Sequence, residues 1–312
     1  MRNVWRTRLL AALTAMAVLA GTSGCTLLGI TEDEFVGAAS GFALAPDKTC
    51  EELKYAFGVP HLPTVDTPGG IGIAYEEAAV TTADGNTLRV WYVPAVLDRG
   101  TVVLSMGAVG NMSCFLYVTY MLRANGWSVV MYDYTGFGGS TGSPSLVHLY
   151  DDLDAVLTWT LERTGQPQVT LMGVSIGSIP SVALAVSRPE AVNGVVIDGP
   201  ISMAAEVKRF RALLLGNPPD FLARLDPLSL LDNTVPQLTQ PSLVFLYGRD
   251  EFVSSAAFPL LSSASPAPIR LVRFDNLAHA RGPYLETATY FAELDAYLAS
   301  IWSPPLPQLP AP

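Results

Sequence analysis

The run Val169-Thr170-Leu171-Met172-Gly173-Val174-Ser175-Ile176-Gly177 carries more structural information than any other part of this 312-residue chain. Its first four residues read as a buried strand, and the glycines around Ser175 mark a sharp turn. Ile179, Val182, Ala183, Leu184 and Val186 then read as a helix that Arg188-Pro189 stops. A serine at a strand-to-helix turn is forced into a strained backbone geometry and needs small neighbours. Its hydroxyl projects above the sheet edge, and the helix N-terminus behind it favours developing negative charge. Gly-x-Ser-x-Gly alone is also compatible with a plain turn. The strand before it and the helix after it make Ser175 the candidate nucleophile.

A nucleophilic serine needs a base, and the chain has three histidines. His61 lies between prolines near the N-terminus and reads as a loop residue. His148 falls within the helical pattern Leu146, Leu149, Tyr150, Leu153, Val156, Leu157, on or beside its apolar stripe, and reads as a packing or half-exposed side chain. His279 follows the apolar segment Ile269–Phe274 and the loop Asp275-Asn276-Leu277-Ala278, and precedes a C-terminal helix from about Tyr284 to Ile301. A histidine on the loop after the last strand can reach over the nucleophile, so His279 is the candidate base. The carboxylate that orients it should leave a strand between the two. Asp250 does so, after Ser242–Tyr247 and within Gly248-Arg249-Asp250-Glu251. Glu251 is adjacent but should point elsewhere. Asp198, at the end of Val195-Val196-Ile197, is an alternative acid; its other reading is a turn residue before Gly199-Pro200.

Acyl transfer also needs hydrogen-bond donors for an oxyanion. The backbone N–H of Ile176, next to the serine, is one. The loop after Thr101–Ser105 reads Met106-Gly107-Ala108-Val109-Gly110-Asn111, and Ala108 is the candidate for the second.

The chain order Ser175…Asp250…His279 and these loops resemble the α/β-hydrolase superfamily. The resemblance is nearest to the branch of serine hydrolases that contains membrane-linked depalmitoylases and related esterases. In that branch the fourth strand ends Asp-Tyr-x-Gly-Tyr-Gly-x-Ser, followed by a Gly-x-Pro-Ser turn. Here the text is Asp133-Tyr134-Thr135-Gly136-Phe137-Gly138-Gly139-Ser140-Thr141-Gly142-Ser143-Pro144-Ser145. The likeness runs from about Tyr75 to Ile301. It implies an α/β-hydrolase fold with a mostly parallel eight-stranded sheet, helices on both faces, and a small lid or none. It also implies a Ser175-His279-Asp250 triad that cleaves acyl esters or thioesters. Two positions depart from the family's His-Gly-Asn-Ala-like loop: Met106 stands for histidine and Ala108 for asparagine. A backbone donor survives both changes, but side-chain hydrogen bonds that rigidify the loop are lost.

The order of elements supports the same fold independently. Ile73–Thr82 and Thr87–Pro94 straddle Ala83-Asp84-Gly85-Asn86, a hairpin signal. Strand and helix patterns then alternate: Thr101–Ser105, a helix near Met112–Asn125, Ser128–Asp133, a helix near Leu146–Thr164, and onward. Apolar strands separated by amphipathic helices mean a mostly parallel sheet covered on both faces. Between Asp198 and Ser242 the helix around Val207–Leu215 reads as an ordinary crossover, with Phe210, Leu213 or Leu214 in reach of substrate.

Arg2, Arg6 and Arg8, an apolar core from Leu9 to Ala20, and Gly21-Thr22-Ser23-Gly24-Cys25 read as an export signal. The apolar run is too short to span a bilayer. Cys25 after small residues resembles a bacterial lipoprotein box, which implies lipidation of Cys25 and a membrane-anchored protein of the cell envelope; free secretion is the alternative. Cleavage moves the formal charge from −10 to −13. So acidic a protein is a poor nucleic-acid binder, and membrane attachment would rest on the lipid. Cys50 and Cys114 remain as an even pair in an oxidising compartment, and whether they form a disulfide is open. The chain thus divides into a signal (1–24), a tether and N-terminal lap (25–70), one hydrolase domain (71–302) and a proline-rich tail (303–312). Neither a metal-ligand cluster nor a cofactor signature stands out. The expected partner is a small-molecule or lipid acyl substrate, with peptide or amide cleavage, or a non-catalytic binding role, as alternatives on the same fold.

Overall fold

The computed structural model describes residues 44–201, 230–250, 263 and 265–302. The signal with Cys25, the 207–215 crossover, Glu251 and the tail therefore lie outside the described residues.

Eight strands form one sheet in the order β1-β2-β4-β3-β5-β6-β7-β8. They are β1 (Glu76–Thr81), β2 (Thr87–Val93), β3 (Thr101–Ser105), β4 (Ser128–Tyr132), β5 (Val169–Val174), β6 (Val192–Asp198), β7 (Ser242–Tyr247) and β8 (Ile269–Phe274). The β1–β2 and β2–β4 pairs are antiparallel, and every other neighbouring pair is parallel. Strands β3, β4, β5 and β7 are buried along their whole length, as near-continuous apolar runs require of a sheet covered on both faces. The edge strands β1 and β8 keep exposed positions.

The described helices are α1 (Cys50–Phe57), α2 (Leu116–Ala124), α3 (His148–Thr164), α4 (Ser178–Ser187), α5 (Leu231–Thr234), α6 (Gly282–Leu285) and α7 (Thr287–Ile301). In α3 the buried residues Leu149, Asp152, Leu153, Val156, Leu157 and Thr160 recur at helical spacing. That helix packs on α4, whereas α2 packs on α7, so the sheet carries two separate helical layers. Trp91, Trp127, Tyr132, Tyr134, Phe137, Phe245, Tyr247 and Tyr290 are the largest fully buried side chains among the described residues.

Two elements differ from the sequence reading. The helix near Met112–Asn125 is a 3-10 turn over Met112–Phe115 followed by α2, with the Asn111 carboxamide oxygen accepting the Ser113 N–H. The C-terminal helix is divided at Glu286 (φ −126°, ψ 44°) into α6 and α7. Gly282 there lies hard against Tyr290 and Tyr247, so the short α6 packs over the core before α7 starts.

Candidate active site

All the parallel strands end at one edge of the sheet, where open α/β folds bind their ligands. The loops after β3, β5, β7 and β8 carry Ala108, Ser175, Asp250 and His279 respectively. Topology alone thus brings four dispersed positions to one rim.

Ser175 leaves β5 with φ 55°, in the left-handed region that non-glycine residues rarely occupy. It opens a 3-10 turn, Ser175–Gly177, that runs into α4. The flanking glycines are required by close approach. A Cβ on Gly173 would overlap the Gly177 carbonyl, and one on Gly177 would overlap the carbonyls of Ser105 and Met106. The only other non-glycine residue with positive φ among the described residues is Ala280 (φ 52°), directly after His279. Both strained positions adjoin candidate catalytic side chains, where strain held by the surrounding structure concentrates.

Asp250 and His279 meet. The His279 Nδ1 lies 2.7 Å from the Asp250 Oδ2, and both side chains are buried. Their loops are stitched together by backbone: the Gly248 N–H donates to the Phe274 carbonyl and the Arg249 N–H to the Leu277 carbonyl. The alternative acid, Asp198, has another occupation. Its carboxylate accepts the hydroxyls of Tyr247 (2.6 Å) and Tyr290 (2.7 Å), completely buried beneath the rim. Burial pushes its pKa up to about 6, against those two hydrogen bonds, which pull it down. His61 is exposed, and His148, the first residue of α3, sits 3.2 Å from the Asp84 carboxylate.

The candidate oxyanion loop is fixed from the core side by the Asp133–Ser145 stretch. The Tyr134 hydroxyl donates to the Met106 carbonyl at 2.8 Å. The Asp133 carboxylate accepts the N–H groups of Met112 and Gly139, tying the loop after β3 to the loop after β4. Asp152, from α3, accepts both the N–H and the hydroxyl of Thr135. A Cβ on Gly107 would lie 3.8 Å from the Ser175 Cβ and 3.8 Å from Phe115 Cζ, so Gly107 faces both the serine and the Phe115 ring.

Sequence reading missed two participants and left a third open. Gly199 (φ 66°) lies so close to the His279 ring that a Cβ there would be 2.8 Å from Cε1; its sequence signal, a glycine directly after a strand, read only as a turn. Phe115 carried no signal beyond a helical pattern. The lap expected over 25–70 is the third, and its seat on the loop was left open. Cys50 and Cys114 are joined in a disulfide, and Ala45 hydrogen-bonds the loop that holds Ala108.

A family model described as alpha/beta hydrolase fold matches residues 100–306, about two thirds of the chain. The chain belongs to the α/β-hydrolase family. Among its relatives is the uncharacterized protein Rv2307c of Mycobacterium tuberculosis (strain H37Rv), 28% identical over 217 residues that cover 66% of this chain and 73% of that one. The alpha/beta hydrolase domain-containing protein aho-3 of Caenorhabditis elegans is 28% identical over 203 residues, 63% of this chain and 57% of that protein. This α/β-hydrolase also superposes on the Pyrococcus furiosus esterase Pf2001 with a TM-score of 0.63 at 18% identity, covering 77% of this chain and 96% of that one. That likeness is one of fold.

Proposed function

We propose that this α/β-hydrolase is a serine hydrolase of acyl esters or thioesters, acting through Ser175, His279 and Asp250. The observation that carries the reading is the pairing of a left-handed serine after β5 with a buried His279–Asp250 pair at the same sheet edge. In this mechanism the Ser175 Oγ attacks the acyl carbonyl as His279 Nε2 takes its proton. Asp250 holds the imidazole through Nδ1 and stabilises its protonated form. The N–H groups of Ile176 and Ala108 bind the oxyanion, at the helix N-terminal side of the turn. His279 then returns the proton to the leaving group, and water resolves the acyl-enzyme by the same route. No cofactor enters these steps.

The kinship with depalmitoylase-like esterases, suggested by the Asp133–Ser145 stretch, belongs to the same proposal, as does lipidation of Cys25 with anchoring in the cell envelope. Among the described residues no helix is long and apolar enough to cross a membrane.

Hydrolysis of p-nitrophenyl esters of increasing acyl length, beside Ser175→Ala, tests the proposal. Turnover should fall by several decades in the variant with its thermal unfolding unchanged. Activity within about tenfold of wild type would sink the assignment.

A further inference from the structure

The loop Met106–Asn111 has Met106 and Ala108 where the resembling loops carry histidine and asparagine, and its Asn111 side chain braces the turn that follows by accepting the Ser113 N–H. Its inner side is held by Tyr134 at the Met106 carbonyl. Its outer side is held by the N-terminal lap, first through backbone: the Ala45 N–H donates to the Ala108 carbonyl at 2.8 Å, and the Gly110 N–H donates to the Ala45 carbonyl at 3.0 Å. Ala45 and Val109 form a parallel β-bridge. Two hydrogen bonds alone are a weak hold for a segment. Two further contacts, made from a capped helix, secure it. Helix α1 begins at Cys50 behind a capping box, in which Thr49 accepts the Glu52 N–H while the Glu52 carboxylate accepts the Thr49 N–H. Leu53 of α1 and the Cys114 sulfur both pack onto Gly110, where a Cβ would come within 2.9 Å and 2.8 Å of them. The Cys50–Cys114 disulfide then joins α1 covalently to the 3-10 turn that follows the loop.

We propose that the lap, locked by Cys50–Cys114, is a positioning element of the active site. By holding the Ala108 carbonyl and the Gly110 N–H, it fixes the backbone on the C-terminal side of Ala108 and so the direction of the Ala108 N–H in the preceding peptide, which makes the hydrolase dependent on an oxidised disulfide. The proposal rests on the serine-hydrolase reading given above. Reduction by a dithiol supplies two electrons and two protons; Cys50 and Cys114 become thiols as the dithiol closes to its own disulfide. The lap then keeps only its non-covalent contacts, and the Ala108 N–H loses its fixed aim. A displaced donor costs less than the two to three decades in kcat that follow removal of one.

The test uses the full-length protein in three forms: oxidised wild type, wild type in dithiothreitol, and Cys50→Ser/Cys114→Ser. p-Nitrophenyl acetate kinetics and hydrogen exchange at the Gly110 amide are measured below the unfolding temperature of each form. Both disulfide-free forms should lose about tenfold or more in kcat with KM changed less than about threefold, and Gly110 should exchange faster. A merely stabilising disulfide would lower the melting temperature and leave kcat alone, so folded, reduced protein within about twofold of the oxidised kcat overturns the proposal. Should the disulfide-free forms fail to fold, Ala45→Pro with the disulfide intact removes the donor to Ala108. It should show the same kcat loss, and wild-type kcat in it overturns the proposal. If oxidised wild type hydrolyses nothing and Ser175 resists a fluorophosphonate probe, it is the serine-hydrolase reading that has failed. Gly110 exchange then decides the clamp alone: acceleration on reduction supports it, and an unchanged rate overturns it.

Discussion

Gly199 and His279 show how narrowly single residues are set at this rim. The φ of 66° at Gly199 costs an L-residue about 1–2 kcal/mol, and its Cα faces the imidazole. In Gly199→Ala the new methyl would stand 2.8 Å from His279 Cε1 and 3.1 Å from Nδ1, so the ring must leave the Asp250 carboxylate. Gly165 supplies the control, since it has φ 67° and a methyl added there would meet nothing within 4 Å. Gly199→Ala should lose at least as much stability as Gly165→Ala on thermal melting, since only the former also meets a buried ring. Only Gly199→Ala should lose about tenfold or more in kcat/KM for an ester, as expected when a catalytic group is misplaced by about an ångström. Equal kinetics in the two variants would contradict the placement of His279. The same scale explains the choice of acid. Asp250 and Asp198 both leave strands toward this rim, but Asp198 is engaged by two tyrosine hydroxyls while Asp250 meets the imidazole.

At the scale of elements, most of the sheet was legible because buried parallel strands need continuous apolar runs. Thr101–Ser105 and Ser242–Tyr247 stand where the sequence puts them, and the edge strand Ile269–Phe274 does so too despite its two arginines. The turn at Ser175 was legible for a steric reason: glycines at 173 and 177 are demanded by carbonyls that a Cβ would overlap. The seat of the lap was not. Ala45 meets Ala108 and Gly110 through backbone groups, which every residue type carries, so the sequence marks a lap over 25–70 but not where it sits, and only the cysteines hint at that. Nor was the buried setting of Asp198, because its partners Tyr247 and Tyr290 lie 49 and 92 residues away and tyrosine in a core segment announces packing first. The division at Glu286 was hidden as well, since apolar periodicity continues through the break.

For the molecule as a whole, the disulfide closes a loop of 64 residues, which constrains the unfolded chain by roughly 4 kcal/mol in the chain-entropy description. Stability should also depend on pH through the buried carboxyls that brace the rim. Burial raises the pKa of Asp133, and pushes Asp152 and Asp198 up to about 6 from 3.8. The folded state therefore holds protons that the unfolded chain has released. The stabilisation is fully present below about pH 4 and is lost as pH rises through about 6. For Asp198 this is on the order of 3 kcal/mol at most. Urea unfolding at several pH values between 4 and 7.5 should show a smaller fall in stability for Asp198→Asn than for wild type, and parallel curves would contradict this account of the buried carboxyl. Above all these stands the assignment of one serine as the nucleophile of the molecule. The most direct measurement is reaction of the folded full-length protein with a fluorophosphonate probe, followed by peptide mapping. The expected result is a single adduct on Ser175, lost in Ser175→Ala and strongly reduced in His279→Ala. No adduct on the folded protein, or an adduct on another serine, would contradict the serine-hydrolase account.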